Sequence, residues 1–185
     1  MRVYQTLEDR DNPDEIEENG PFACKSSNAW LGEGYYFWEY FIQNAHWWGK
    51  VGYNSEYVIC EASYKKDKGD RCLNLYDNYE HQEIFAHVIE NMRSKGLYRD
   101  NKTTVARVIK YLRDIKVFKY EATKINGVLS KGIKNSLHVK CKANNNKGYV
   151  DLIPAVQICF YHKKALDLSG YKIVFPEKYL QEGVF

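Results

Sequence analysis

The 185-residue sequence predicts an α+β fold, and three observations point to that class. Residues 56–64 and 156–161 are rich in β-branched and aromatic side chains, as strands are. Residues 81–94 and 103–115 carry apolar side chains close to a 3.6-residue period, as amphipathic helices do. The third observation is composition: sixteen Tyr, eight Phe and four Trp supply the apolar surface of a packed core and exclude a disordered protein.

The remaining elements follow from local signals along the chain. Asn12 before Pro13 indicates a helix start, residues 101–104 supply a second cap, and Gly20 and Gly49 are stop signals. The predicted elements are, in order, a strand at 2–6, a helix from residue 13, a strand at 35–38, a helix at 39–48, strands at 56–64 and 73–76, helices at 81–94 and 103–115, strands at 117–122 and 136–141, a turn at 144–148, and strands at 156–161 and 171–175. Neither a repeat nor a linker divides the chain, which predicts one domain over residues 1–185.

The spacing of the cysteines and histidines limits which metal, disulfide and nucleophile sites the chain can form. The five cysteines form no CxxC pair, which argues against a disulfide framework or a zinc finger, and the five histidines form no HExxH motif. Cys159 is expected to be a small buried apolar residue, although a Cys–His nucleophile pair stays formally open. No apolar run has the length of a signal peptide or a membrane span. We expect a cytoplasmic protein with no metal site and no membrane contact.

The net charge of +3 conceals an uneven distribution. Residues 7–20 contain seven acidic residues and one basic residue, whereas residues 102–147 contain twelve basic residues and two acidic ones. The second stretch lies in a predicted basic segment of helix and loop at about residues 78–147. Such a stretch either attracts phosphates or forms a solvated helix face with polar loops, and the sequence leaves both interpretations open.

All four tryptophans lie between residues 30 and 48, in the part of the chain with the clearest functional pattern. The string Gly32-Glu33-Gly34-Tyr35-Tyr36-Phe37 enters a predicted strand, and Asn44-Ala45-His46-Trp47 follows in the next helix. This combination resembles the ADP-ribosyltransferase superfamily, in its diphtheria-toxin-like branch with a His-Tyr-Glu triad. The resemblance implies an α+β fold of split mixed and antiparallel β-sheets with flanking helices, and NAD as co-substrate.

The resemblance also implies roles for individual residues. Tyr36 lies against the nicotinamide ring, Asn44 holds the nicotinamide carboxamide, and Trp47 closes the other face of the ring. Gly34 belongs to the cofactor-binding glycine string. These roles agree with elementary chemistry, because a flat electron-poor ring binds well between two π-faces and a carboxamide needs a donor and an acceptor. The other tryptophans are expected to be structural, namely Trp30, Trp38 and Trp48.

Two positions depart from the family pattern. The family has a histidine on its first strand where this chain has Gln5, followed by Thr6. Gln5 is expected to donate to a ribose hydroxyl and Thr6 to lend its backbone groups. The family's catalytic glutamate corresponds to Gln157, a neutral amide that orients the ribose but supplies no counter-charge as nicotinamide leaves. Gln157 therefore argues against polymer synthesis, and it stays open whether Asp151 or a group of the acceptor supplies the charge.

The function that the resemblance implies is mono-ADP-ribosyl transfer from NAD to a macromolecule, with Tyr36 and Gln157 as catalytic residues. The acceptor is either protein, or RNA or DNA bound through the basic stretch 102–147. In small chains the resemblance implies a toxin or effector of a bacterial toxin–antitoxin or antiviral-defence system, with an antitoxin protein as a possible partner. Two alternatives stay open: an NAD glycohydrolase, and a catalytically inert module of the same fold that binds nucleic acid or protein.

Overall fold

The computed structural model describes residues 1–26, 29–66, 71–127, 138–142 and 145–180. In these ranges its four α-helices are α1 (Pro13–Asn19), α2 (Ile42–Gly52), α3 (Tyr79–Ser94) and α4 (Val105–Asp114). Its nine strands are β1 (Arg2–Glu8), β2 (Tyr35–Glu39), β3 (Tyr57–Ser63), β4 (Cys72–Asn74), β5 (Ala122–Asn126), β6 (His138–Lys142), β7 (Asn145–Asp151), β8 (Val156–Phe160) and β9 (Ser169–Phe175). The α+β class is confirmed. None of the described helices has the length and apolar character needed to cross a membrane.

Seven of the strands form one mixed sheet in the order β4-β5-β8-β2-β1-β3-β9, and β6 pairs with β7 in a separate ribbon. Only β4 and β5 run parallel; every other pair of neighbours in the large sheet is antiparallel. The split sheets implied by the resemblance are therefore not what the described residues show. The reason is that β2 pairs with β1 on one side and with β8 on the other, which joins the two halves.

Local capping explains where the helices begin. Thr104 caps α4 by accepting from the backbone N–H of Arg107 at 3.3 Å, within the cap predicted at residues 101–104. The start of α1 at Pro13 is also confirmed, but the predicted cap is wrong in detail. The side chain of Asn12 makes no capping bond and instead donates to Glu15 Oε2 at 2.7 Å.

Helix α2 extends beyond its predicted end. Gly49 was expected to stop the helix, but the helix continues to Gly52. The glycine is required by packing, because a Cβ at position 49 would overlap the ring of Tyr57 on β3. The absence of a side chain at Gly49 therefore allows α2 to lie directly against the sheet.

Two predictions in the basic segment are corrected. The strand expected at 117–122 begins only at Ala122, because the backbone N–H groups of Val117 and Phe118 both donate to Leu112 O in the turn that ends α4. The turn expected at 144–148 falls largely within β7, which pairs with β6. Residues 128–137, 143 and 144 of the segment lie outside the described residues.

The core lies on both faces of the large sheet, since side chains alternate along each strand. On one face Phe37 of β2 and Phe160 of β8 pack edge to face, with ring centroids 5.5 Å apart. On the other face Trp38 of β2 and Tyr57 of β3 pack with Ala45 of α2. We call this second face, which α2 covers, the α2 face.

Candidate active site

The candidate residues of the sheet lie around Trp38 on the α2 face. Trp38 pairs with Tyr4 of β1 on one side and with Gln157 of β8 on the other. Residues directly opposite each other in an antiparallel pair, and residues two apart on a strand, point to the same face. Gln157 and Tyr36 therefore share the α2 face with Trp38, as the predicted pair of catalytic residues requires.

Helix α2 brings the other two candidate side chains to the same place. The rings of Trp38 and Trp47 pack edge to face with centroids 6.2 Å apart. The side chain of Asn44 is fully buried one helical turn earlier, and its Nδ2 donates to the backbone oxygen of Pro154 at 3.1 Å. Since Pro154 precedes β8, Asn44 links α2 to the strand that carries Gln157.

Asn44 and Trp47 each leave a polar atom without a protein partner. Asn44 Oδ1 and Trp47 Nε1 are buried, and among the described residues neither atom has a hydrogen-bond partner. One is an acceptor and the other a donor. Buried polar atoms are nearly always hydrogen-bonded, so this acceptor and this donor, three residues apart on one helix face, are two unmet hydrogen-bonding groups close to Trp38.

The backbone of Thr6 adds a further donor and acceptor. The ladder between β1 and β2 ends at Tyr4↔Trp38, although β1 continues to pair with β3 as far as Glu8↔Tyr57. Met1 and Tyr64 exchange backbone hydrogen bonds on the β3 side of β1, so by alternation the backbone N–H and C=O of Thr6 point toward β2. In the described structure no residue of β2 forms a ladder pair with Thr6 on that side. The side chain of Thr6 donates to Ala45 O at 3.0 Å, which places this gap beside Asn44.

Gln157 is held by a residue that sequence reasoning classed as structural. Trp30 Nε1 donates to Gln157 Oε1 at 2.7 Å, across 127 residues of chain. Because the bond joins two side chains so distant in sequence, no local spacing could predict it. Trp30 is therefore added to the candidate site as a residue that positions Gln157.

Tyr36 contributes its ring rather than its hydroxyl. The hydroxyl donates to Gly32 O at 2.7 Å and accepts from the backbone N–H of Leu31 at 2.9 Å. Burial raises the pKa of Tyr36 well above its usual range, and the neighbouring thiol of Cys159 adds to this rise. The phenol is therefore neutral at physiological pH, and its hydroxyl holds the 31–32 turn in place.

Gly34 has a structural role in the described geometry. Its backbone N–H and C=O both bond to Cys24, and a Cβ at this position would lie 2.5 Å from Cys159 Sγ and 2.6 Å from Phe160 O. The glycine lets β2 approach β8 closely. Because its backbone N–H and C=O are both bonded to Cys24, Gly34 has no free backbone group for the predicted contact with a cofactor.

Gln5 does not reach the candidate site. It lies between Tyr4 and Thr6 on β1, so its side chain points to the opposite face of the sheet. Its Nε2 donates to Phe22 O at 2.8 Å, and its Oε1 accepts from Phe22 N–H at 3.0 Å and from Tyr171 Oη at 2.8 Å. The predicted ribose contact of Gln5 is therefore corrected: this amide fastens the 22–24 segment and β9 to β1.

The described residues offer neither a reactive thiol at Cys159 nor a cluster of metal ligands. Burial raises the pKa of the Cys159 thiol to about 12, so the thiol is protonated at neutral pH and is a poor nucleophile. No group of three or more His, Cys, Asp and Glu side chains in the described part of the chain is placed to hold a metal ion. Asp151 Oδ1 accepts from the backbone N–H of Ile153 at 3.0 Å, in the turn before β8.

Comparison of the chain with protein-family models, with curated proteins and with solved structures finds no match. Any proposal of function for this chain therefore depends on the geometry of the α2 face and on the resemblance carried by residues 32–47.

Proposed function

We propose that this protein is a mono-ADP-ribosyltransferase that cleaves NAD and transfers ADP-ribose to a macromolecular acceptor. The observation that carries the proposal is the pair of buried, unpaired atoms Asn44 Oδ1 and Trp47 Nε1 beside Trp38. A nicotinamide carboxamide offers N–H donors and an oxygen acceptor, which is the complement of Asn44 Oδ1 and of the backbone N–H and C=O of Thr6. NAD supplies a glycosidic bond that breaks with nicotinamide as the leaving group.

Each residue of the site has a distinct role in this proposal. Asn44 Oδ1 accepts from the carboxamide, and Thr6 offers its backbone N–H and C=O. The rings of Tyr36 and Trp47 hold the flat nicotinamide, while the Trp47 indole N–H donates to an oxygen of the ligand. Gln157, oriented by Trp30, donates to a ribose hydroxyl.

A conservative substitution tests the proposal. Trp47→Phe keeps an aromatic ring but removes the unpaired indole N–H. We expect the rate of nicotinamide release from NAD to fall about tenfold, the effect of losing a hydrogen bond of about 1.4 kcal/mol. Trp48→Phe is the matched control, because Trp48 is the next residue, is 40% exposed and receives the same chemical change.

The assay uses NAD labelled in its adenosine part and follows nicotinamide release together with label in the protein, RNA and DNA fractions of a bacterial lysate. Transfer of label to one fraction supports the transferase and identifies the acceptor class. Nicotinamide release without transfer indicates a glycohydrolase instead. Equal activity of the Trp47→Phe and Trp48→Phe variants would contradict the site, and the absence of any nicotinamide release would contradict both enzymatic functions.

One observation favours a second candidate function, an NAD-binding module without catalytic activity. The residue at the position of the family's glutamate is a neutral amide whose oxygen is already bonded to Trp30. Such a module would bind NAD, detected by calorimetry, and release no nicotinamide. Measuring NAD binding and nicotinamide release on the wild-type protein therefore distinguishes the two functions.

A role as a toxin or antiviral effector rests on the same proposal. Expression of the wild-type chain in a bacterial host is then expected to slow growth, and expression of the Trp47→Phe variant at the same level is expected to slow it less. Equal growth of the two strains would contradict the role as a toxin while leaving the enzymatic assay to decide the activity.

A further inference from the structure

A pocket lies beside the 32–34 turn, and its lining residues do not include Tyr36, Asn44, Trp47 or Gln157. Its volume is about 580 Å³, within the range typical of small-molecule sites. Tyr35 lines it, whereas the next residue, Tyr36, points to the α2 face. Tyr161, which follows β8, also lines the pocket, and its hydroxyl donates to Leu31 O at 3.2 Å. The pocket therefore adjoins the 31–32 turn that the hydroxyl of Tyr36 holds.

The most informative residue of this pocket is Arg113 in the last turn of α4. Its guanidinium carbon lies 4.1 Å from the ring centroid of Tyr161 and 5.1 Å from that of Phe118. Two aromatic rings thus contact the guanidinium and limit where it can lie. None of the acceptors in the described part of the chain bonds to Arg113, so its N–H groups remain for a ligand. A planar fork of free N–H groups is suited to the oxygens of a phosphate.

The rest of the lining is aromatic and cationic. The walls contain the rings of Tyr35, Phe118, Tyr120 and Tyr161, and Lys25 adds a second cation. Glu33 is the one carboxylate among the lining residues. A phosphorylated peptide would use the two cations but would leave most of the aromatic surface uncovered. A nucleotide uses both, because every base has a face that stacks on an aromatic ring.

We propose that this pocket binds a nucleoside phosphate, with the phosphate on Arg113 and Lys25 and the base against the aromatic wall formed by Phe118 and Tyr120. The nucleotide is one unit of a single-stranded nucleic acid. The phosphates of the neighbouring units lie toward the exposed lysines at positions 116 and 119 of the protein. Binding rests on the pocket alone. The further statement that the bound strand is the acceptor of ADP-ribose rests on the proposed function.

The test measures binding of a fluorescein-labelled, mixed-sequence ten-nucleotide RNA and its DNA equivalent to the full chain, by fluorescence anisotropy without NAD. Arg113→Ala is expected to weaken binding at least tenfold. Arg107→Ala removes the same charge from an exposed position of the same helix, outside the pocket, and is expected to weaken binding less than twofold. Equal losses in the two variants would overturn the proposal, because general charge would then explain binding.

Three further variants separate the contribution of the guanidinium from that of the aromatic wall, and conservative changes among them control for misfolding. Arg113→Lys keeps the charge without the planar fork and is expected to weaken binding about threefold to tenfold. Tyr120→Leu removes a stacking ring and is expected to weaken binding about tenfold, while Tyr120→Phe binds as the wild type does. Wild-type affinity in both Arg113→Lys and Tyr120→Leu would contradict the assignment.

Competition identifies the source of the nucleotide. Displacement of the labelled strand by unlabelled strand at lower concentration than by AMP or GMP supports a nucleic-acid ligand, and the reverse order supports a free mononucleotide in the same pocket. If NAD displaces the labelled strand while AMP, GMP and the unlabelled strand do not, the proposal is overturned, because the pocket would then be part of the NAD site. Because the assay contains no NAD, strand binding can fail while NAD is still cleaved, and the two proposals fail separately.

Discussion

The indole N–H of Trp30 donates to Gln157 Oε1 at 2.7 Å, and this bond fixes which way the amide of Gln157 faces. An indole can only donate, so the carbonyl oxygen of the amide must face Trp30 and the NH₂ group must face away. Gln157 therefore offers donors to a ligand on the α2 face. A glutamate at this position would accept from both Trp30 and a ribose hydroxyl.

This orientation predicts the effect of Gln157→Glu. The carboxylate keeps the bond from Trp30 and, in the proposed reaction, adds a negative charge where positive charge develops as nicotinamide leaves. We expect the rate of nicotinamide release to rise about tenfold, which corresponds to about 1.4 kcal/mol of transition-state stabilisation. Gln43→Glu, at an exposed position of α2, adds the same charge elsewhere and is expected to change nothing. An equal or lower rate in Gln157→Glu would show that residue 157 does not face the reacting ribose.

A second prediction concerns the residue that orients the amide. Trp30→Phe removes the donor, so the Gln157 amide is free to rotate and present either atom to the ligand. The rate of nicotinamide release is expected to fall about threefold to tenfold, the effect of losing about 1 kcal/mol of hydrogen bonding. In the double variant Trp30→Phe/Gln157→Glu the Trp30 substitution is expected to cost less, because both carboxylate oxygens are acceptors. Additive losses in the double variant would contradict this positioning role.

The sequence predicted the strands and helices that carry the site, but not all of the side-chain directions. The string at residues 32–47 has local spacing, and the structure brings Tyr36, Asn44 and Trp47 around Trp38. Gln5 was misplaced because the resemblance to a family histidine says nothing about face, and only the register of β1 with its neighbours assigns its side chain to the side opposite Thr6.

Other features of the site could not be predicted from the sequence, for a different reason. The Trp30–Gln157 bond and the contact of Gly49 with Tyr57 join positions distant along the chain or in different elements. Such contacts depend on how the elements pack, which periodicity and capping signals do not encode. The early end of the β1–β2 ladder, which frees the backbone of Thr6, likewise depends on tertiary packing.

A buried ion pair gives a prediction about stability. Lys124 Nζ lies 3.1 Å from Glu39 Oε2, the two side chains are only 6% and 8% exposed, and Tyr64 donates to the same carboxylate. Lys124→Met would leave the Glu39 charge buried without its cation. The free energy of unfolding is expected to fall by about 3 kcal/mol, because loss of one partner of a buried pair is far more costly than loss of a surface pair.

Urea unfolding measures this change. Adding Glu39→Gln to Lys124→Met removes the isolated charge and is expected to restore part of the lost stability. The control is Lys110→Met, which breaks the exposed pair with Asp114 and is expected to cost about 0.5 kcal/mol or less. Similar losses in the two single variants would show that burial does not govern the Lys124 pair.

The ion pair of Glu121 predicts a dependence of stability on pH. Arg71 donates to both carboxylate oxygens of Glu121 at 2.7 and 2.9 Å, and the backbone N–H of Leu166 donates at 2.9 Å. The bonds from Arg71, followed by that from Leu166, lower the pKa of Glu121 to about 2. A carboxyl whose pKa is lower in the folded state stabilises the fold above its unfolded pKa of about 4.3 and loses this contribution as the pH falls toward 2.

Glu121→Gln is therefore expected to lower the free energy of unfolding by about 1–2 kcal/mol at pH 6, after allowance for solvent screening of a partly exposed pair. The difference between wild type and variant should shrink between about pH 5 and pH 2, where protonation removes the charge from the wild type as well. Urea titrations at several pH values measure it. Glu90→Gln on α3 is the control, because Glu90 is exposed and its carboxylate makes no hydrogen bond or ion pair with the described residues. If the loss of unfolding free energy in Glu121→Gln stays constant down to pH 2, the stabilisation by Glu121 comes from shape and hydrogen bonding rather than from charge.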